Sequence, residues 1–167
     1  ALAGLANGRL SSIDLATGQT VWNVAVDRAR GSNEVARLID LDSRPAIVGD
    51  VLFAGAYQGR MVALDVATGK SRWSRKVSVL RDLGADDSSI YAVTSKGEVV
   101  ALGLNDGAEL WRQLALRGRG LTAPGVLPGV IAVGDYKGYL HLLDAENGQF
   151  LGRIRLDTEA IISITPA

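Results

Sequence analysis

Apolar residues in this chain come in short runs of four to seven, rich in valine, isoleucine and small side chains, at 51–57, 90–93 and 130–133. Runs this short, bounded by turn residues, predict β-strands. A polar residue and a glycine follow each run or match its register: Asn7–Gly8, Gln58–Gly59, Lys96–Gly97 and Lys137–Gly138. These pairs fit two-residue hairpin turns, in which glycine supplies the positive φ. A second short strand is predicted at 10–14, 61–65, 99–102 and 139–144. A second turn then closes on Gly18, Gly69, Gly107 or Gly148. The third strand, at 20–22, 71–73 and 109–111, ends on Trp22, Trp73 or Trp111. A further strand is predicted ahead of the copies, from the proline-containing segments 43–48 and 122–126.

Superimposed on their turn glycines, the four copies lie 51, 38 and 41 residues apart. The second glycine follows the first by ten residues in each, and the tryptophan follows four later, with Gly152 in its place in the last copy. Asp14, Asp65 and Asp144 fall midway, and Gly103 takes that position in the third copy. A period near 40 residues built from four antiparallel strands predicts an all-β chain of about four propeller blades. The units run about 1–27, 36–80, 81–117 and 118–156, with an inserted loop at 28–44 and a further blade opening at 157–167. Residues 1–5 match the second strand of a blade with no inner strand before them, so a partial propeller cut from a larger ring is expected. A self-contained four-bladed ring is the alternative. An open ring is further expected to pair through its sheet edges.

Composition narrows the function. Eighteen basic and eighteen acidic residues cancel, which argues against general affinity for nucleic acid or anionic membranes. No apolar run approaches the roughly 20 residues of a membrane-spanning helix, and no signal peptide is visible. Cysteine is absent, which removes disulfides, thiol nucleophiles and thiolate metal sites.

The inserted loop is the most polar stretch. Asp40 and Asp42 are two residues apart, so on an extended segment both carboxylates point the same way, with Leu38 as apolar surface beside them. Long loops on a rigid β scaffold often carry binding, and the pair could be an acidic hook for a basic partner. The residues alone favour a solvated loop in which Arg37 and Arg44 neutralise the aspartates.

Arg37-Leu-Ile-Asp-Leu-Asp-Ser-Arg-Pro45, Val51-Leu-Phe-Ala-Gly-Ala-Tyr-Gln-Gly59, Met61-Val-Ala-Leu-Asp65 and Val133-Gly-Asp-Tyr-Lys-Gly-Tyr-Leu-His141 resemble the BamB family, propeller lipoproteins of the outer-membrane β-barrel assembly machinery. The resemblance covers essentially the whole chain and corresponds to the C-terminal half of that family. It implies a fragment of an eight-bladed ring and a periplasmic, non-catalytic scaffold without cofactors. The implied partners are the POTRA domains of the barrel-inserting subunit BamA, and possible clients are unfolded outer-membrane proteins. The family's acidic docking pair falls on Asp40 and Asp42, flanked by Arg37 and Leu38. Its Leu-x-Leu-Arg docking segment and its lipidated cysteine lie upstream of the matching stretch, so membrane attachment would come only through that anchor.

The tryptophans are expected to dock blade against blade, packed over glycine-rich backbone such as the turn before them, with Gly18, Gly69 and Gly107 marking those turns. Each could contribute on the order of 5 kcal/mol as an upper bound from buried area. Gly152 predicts a differently packed junction. The wider superfamily with this blade pattern includes quinoprotein dehydrogenases, so an enzyme fragment is the second reading and a generic interaction module the third. The resemblance implies that a quinoprotein site needs a quinone, a calcium ion and an adjacent-cysteine ring, and this chain has no cysteine. His141 is the single histidine and has no second histidine with which to chelate a metal or form a triad. Neither Asp86–Asp87 nor Asp40 with Asp42 has the ligand density of a calcium loop.

Overall fold

The computed structural model describes residues 1–5, 8–26, 43–56 and 59–165, and among them the strands fall in the glycine-punctuated order. The first sheet holds β1 (Leu2–Leu5), β2 (Arg9–Ile13) and β3 (Thr20–Ala25). The second holds β4 (Ala46–Val48), β5 (Val51–Gly55), β6 (Met61–Asp65) and β7 (Ser71–Arg75). The third holds β8 (Gly84–Ala85), β9 (Ser89–Val93), β10 (Val99–Gly103) and β11 (Glu109–Gln113). The fourth holds β12 (Gly125–Leu127), β13 (Val130–Gly134), β14 (Tyr139–Asp144) and β15 (Phe150–Arg155). All pairings are antiparallel and join consecutive strands, the order of propeller blades.

Three details differ from the sequence expectation. The two fully described hairpins between the second and third strands of a blade carry three residues, not two. Thr94 N–H donates to Glu98 O and Gly97 N–H to Thr94 O, so Ser95, Lys96 and Gly97 form the loop. Asp135 and Tyr139 close the same loop around Gly138. Gly97 and Gly138 have φ of 73° and 77°, the left-handed last position of a three-residue turn. A two-residue motif cannot distinguish the two loop lengths, because both demand positive φ at glycine. The inner strands begin after Pro45 and Pro124, since proline has no N–H to give a ladder. The inner strand of the third sheet is only two residues long and carries no proline marker.

The core lies between sheets. One apolar cluster joins Leu10, Trp22 and Val26 to Leu52, Val62 and Leu64. A second joins Phe53, Met61 and Trp73 to Ile90, Ala92 and Leu102. A third joins Tyr91, Val93 and Trp111 to Ile131, Val133 and Leu143. The middle strands of the second and third sheets bury both faces, as β9 does over its whole length, because those two sheets have a neighbour on either side.

Antiparallel order places two kinds of loop on opposite faces of the disc. On one face the β9–β10 type hairpins meet the connections between sheets. Val79 N–H donates to Ala56 O, Ser95 N–H to Ser78 O and Tyr136 N–H to Arg119 O there. We call this the connection face. The other face carries the turns closed by Gly18, Gly69, Gly107 and Gly148.

Candidate functional site

Each outer strand carries a bulge one residue before the tryptophan position. Register slips between Ser12 and Ile13, Ala63 and Leu64, Ala101 and Leu102, and Leu142 and Leu143. The extra residues, Val21, Arg72, Leu110 and Leu151, turn outward, and the next residue is re-aimed across the gap between sheets. Trp22 thereby lies on Gly69, Trp73 on Gly107 and Trp111 on Gly148, so each indole packs on the turn glycine of the following sheet and not, as expected, on the turn before it, because the bulge aims the ring away from its own sheet. The indole N–H donates to Val66 O at 2.9 Å, Leu104 O at 2.7 Å and Ala145 O at 2.8 Å respectively. The three rings are 8%, 7% and 8% exposed. At Gly18 and Gly152 nothing among the described residues lies within 4 Å of a built Cβ, while Phe150 and Leu151 beside Gly152 are exposed.

The midway aspartates cap these turns. Asp14 Oδ1 accepts from the N–H groups of Ala16 and Thr17, Asp65 Oδ1 from Thr68, and Asp144 Oδ1 from Glu146 and Asn147. Where Gly103 replaces the aspartate, Asp106 takes over and accepts from Ala108 N–H at 2.8 Å. Hydrogen bonds from Thr68 and from Arg72 hold the Asp65 carboxyl down at about 2.

Of the predicted partner loop, Arg37, Leu38, Asp40 and Asp42 lie outside the described residues. Its anchor points are described, and both sit on the connection face. Val26 N–H donates to Gly8 O, and Ser43 is buried with its hydroxyl donating to Gly55 O at 3.0 Å. Arg44 points to Asp82: its N–H donates to Asp82 Oδ1 at 2.8 Å and its Nε lies 3.9 Å from Oδ2.

Two buried carboxylates stand on the same face, and neither was singled out from the sequence. Glu98, first residue after the hairpin glycine, is buried and receives hydrogen bonds from Arg112 Nη1 and from Arg117 Nε and Nη2. Burial alone would push the Glu98 carboxyl up, but the Arg117 and Arg112 guanidiniums outweigh it and hold it below the usual carboxylate range. Asp135 is fully buried, accepting from Arg119 Nη1 at 2.9 Å and from the N–H groups of Lys137 and Tyr139. His141, buried in β14, places Nε2 2.9 Å from Asp135 Oδ2. Burial again acts upward on Asp135, and the bonds from His141, Tyr139 and Arg119 override it to hold the carboxyl at about 2. An ionised carboxylate only accepts, so Nε2 is the protonated ring nitrogen. His141 is thus a satisfied structural residue of one sheet. Among the described residues no three acidic or histidine side chains converge to hold a metal ion.

A signal for Glu98 was present in the repeat. The residue after the hairpin glycine is Arg9, Arg60, Glu98 and Tyr139 in turn. Each reaches diagonally to the residue after the tryptophan position: Arg9 to Asn23, Arg60 to Ser74, Glu98 to Arg112, and Tyr139 under Arg153. The third sheet alone reverses the charge of this rung.

With this geometry in hand, comparison with known proteins is direct. The family model for outer membrane protein assembly factor BamB matches residues 1–113 and 95–167. The outer membrane protein assembly factor BamB of Escherichia coli (strain K12) is 38% identical over 158 residues, 95% of this chain and 40% of that protein. The one from Kangiella koreensis is 36% identical over 160 residues, 96% of this chain and 41% of that protein. The chain therefore spans about two fifths of the length of these relatives. The crystal structure of BamB from Moraxella catarrhalis superimposes with a TM-score of 0.91 at 33% identity, covering 99% of this chain and 50% of that one. A quinohemoprotein alcohol dehydrogenase from Comamonas testosteroni superimposes at 0.61 with 24% identity over 77% of this chain and 22% of that one, a likeness of fold alone. The indole-on-glycine interlocks, the four blade sheets and the match along the whole length together place this chain in the outer membrane protein assembly factor BamB family.

Proposed function

We propose that this chain is part of a non-catalytic scaffold for outer-membrane protein assembly in the periplasm of a Gram-negative bacterium. It would dock to POTRA domains of BamA through the acidic pair Asp40 and Asp42, with Arg37 and Leu38 beside them. The observation that carries this reading is membership of the BamB family along the whole chain, the Arg37–Pro45 motif included. The described ends of that connection, Val26 and Ser43, support it by anchoring the loop on the connection face of a rigid sheet pair.

The test is capture of isolated BamA POTRA domains by the D40R/D42R variant. Docking is expected to weaken at least about tenfold, as charge reversal of a contacting acidic pair should do, while the circular-dichroism melt stays unchanged. Undiminished capture by the folded variant would overturn the docking assignment. Saturable binding of a quinone cofactor with calcium would instead favour the dehydrogenase-like reading.

A further inference from the structure

On the connection face, between the second and third sheets, lies a depression of about 460 Å³ bordered by Lys76, Ser95, Lys96, Glu98, Arg112 and Arg117. Four cations face one carboxylate there, in a chain whose acidic and basic residues cancel. Counting Glu109, which occupies the outer edge of Arg112, two positive charges remain without a matching acid among the described residues. They are readily identified. Neither the Lys76 nor the Lys96 ammonium has a hydrogen bond or ion pair among the described residues, and both side chains are exposed. The guanidiniums behind them are not free to wander, because the buried Glu98 holds both of them. A concave site lined by one sign of charge concentrates field at its mouth and draws in counter-ions.

We propose that this depression binds a carboxylate-bearing polypeptide segment, an acidic stretch of a partner protein reaching the connection face. The site is already matched to that chemistry: the anion seated on its guanidiniums is a carboxylate, and planar guanidinium forks pair with carboxylates in bidentate fashion. Its wall combines the hydroxyl-bearing Thr94 and Ser95 with the apolar Val77, which suits an acidic side chain on an aliphatic stem. The volume accommodates more than one carboxylate and falls in the range of ligand pockets, about 300–1,000 Å³. The site lies on the same face as the Val26–Ser43 connection but is built from other residues, so it goes beyond the docking role of Asp40 and Asp42 and does not rest on it.

The test is titration of the ¹⁵N-labelled 167-residue chain with an acetylated and amidated tetraglutamate peptide, followed through the Ser95 and Gly97 amides and the Arg112 and Arg117 Nε resonances. Saturable shifts that weaken with added sodium chloride are expected. In K76E/K96E the affinity should fall at least about fivefold, the combined effect of two exposed ion pairs, and K76Q/K96Q should fall in between. Circular dichroism confirms that the variants fold. Equal binding of tetraglutamine, affinity unchanged in K76E/K96E, or saturation by inorganic phosphate but not by the peptide would each overturn the proposal. D40R/D42R is expected to leave the peptide affinity unaltered, so this site and the docking loop fail or stand separately.

Discussion

Trp111 lies flat on Gly148, and its Nε1–H donates to Ala145 O at 2.8 Å, so one side chain ties the third sheet to the fourth through both a ring contact and a hydrogen bond. Trp22 on Gly69 and Trp73 on Gly107 repeat the arrangement at the two other boundaries. In each case the bulge before the tryptophan aims the ring, and the absence of a Cβ on the facing glycine lets it land.

Gly107 and Gly18 separate the two demands placed on these turn glycines. Both adopt left-handed backbone, with φ of 66° and 71°. A Cβ at Gly107 would stand 2.7 Å from Trp73 atoms, whereas one at Gly18 meets nothing within 4 Å among the described residues. Gly18→Ala should cost only the backbone term, about 1–2 kcal/mol. Gly107→Ala should add an overpacking cost of about 1–3 kcal/mol. Urea melts of the two variants measure the difference, and equal losses would mean that the indole yields without cost.

Trp73 offers the reciprocal experiment. Trp73→Ala opens a cavity against Phe53 and the turn at Gly107 and should cost about 3–5 kcal/mol. Trp73→Phe keeps a ring beside Phe53, whose centroid is 5.7 Å from that of Trp73, and loses the bond to Leu104 O. That variant should lose about 1–2 kcal/mol in the same melts. A phenylalanine variant as unstable as the alanine variant would place the interlock's strength in the indole N–H.

The propeller was legible because glycine and tryptophan recur at fixed spacing and each spacing has a mechanical cause. Gly69, Gly107 and Gly148 must be glycine for both conformation and ring contact, so the repeat left a strong trace. Asp65 and its counterparts were visible in the same register, but their turn-capping bonds run to backbone N–H groups that the sequence does not display. The buried pairs were hidden for a different reason. Glu98 and Asp135 occupy repeat columns whose other members are Arg9, Arg60 and Tyr139, or Leu5, Ala56 and Thr94. Of their partners, Arg112 and His141 lie on repeat strands, but Arg117 and Arg119 come from an inter-sheet connection that has no repeat register at all. The loop carrying Asp40 and Asp42 had no counterpart in the other units, so the residues left a hook and a solvated loop both open, and the family resemblance favoured the hook.

Asp135 should make stability depend on acidity. Its folded-state carboxyl is held at about 2, below the ordinary 3.8, by His141, Tyr139 and Arg119 against the opposing pull of burial. A depressed folded value means the stabilisation is fully present above about pH 4 and is lost as pH falls through about 2. The amount is about 2 kcal/mol. Asp65 titrates over the same range from the surface, so the measurement is the stability gap between wild type and Asp135→Asn. That gap should be widest near neutral pH and close between pH 4 and 2. A gap independent of pH would show that Asp135 acts through shape and not charge.

Glu98 and its two arginines should respond unequally to removal, because they are unequally buried. The Glu98 side chain is 3% exposed, against 30% for Arg112 and 52% for Arg117. In Glu98→Gln both guanidiniums can turn to water and Arg112 keeps Glu109, so the loss should be about 1 kcal/mol. In R112A/R117A a carboxylate stays in the interior with its charged partners gone, and the loss near neutral pH should reach about 3 kcal/mol or more. Burial then acts unopposed and raises the folded-state value above the unfolded one. With that sign, the double variant pays no charge penalty below the unfolded value and is progressively destabilised as pH rises past it. Urea midpoints of R112A/R117A should therefore recover toward wild type as the pH is lowered from 7 to about 4, while those of Glu98→Gln should show no such recovery. Matching losses and parallel pH profiles for the two variants would mean that the cluster behaves as an exposed surface network, with Glu98 reached by water.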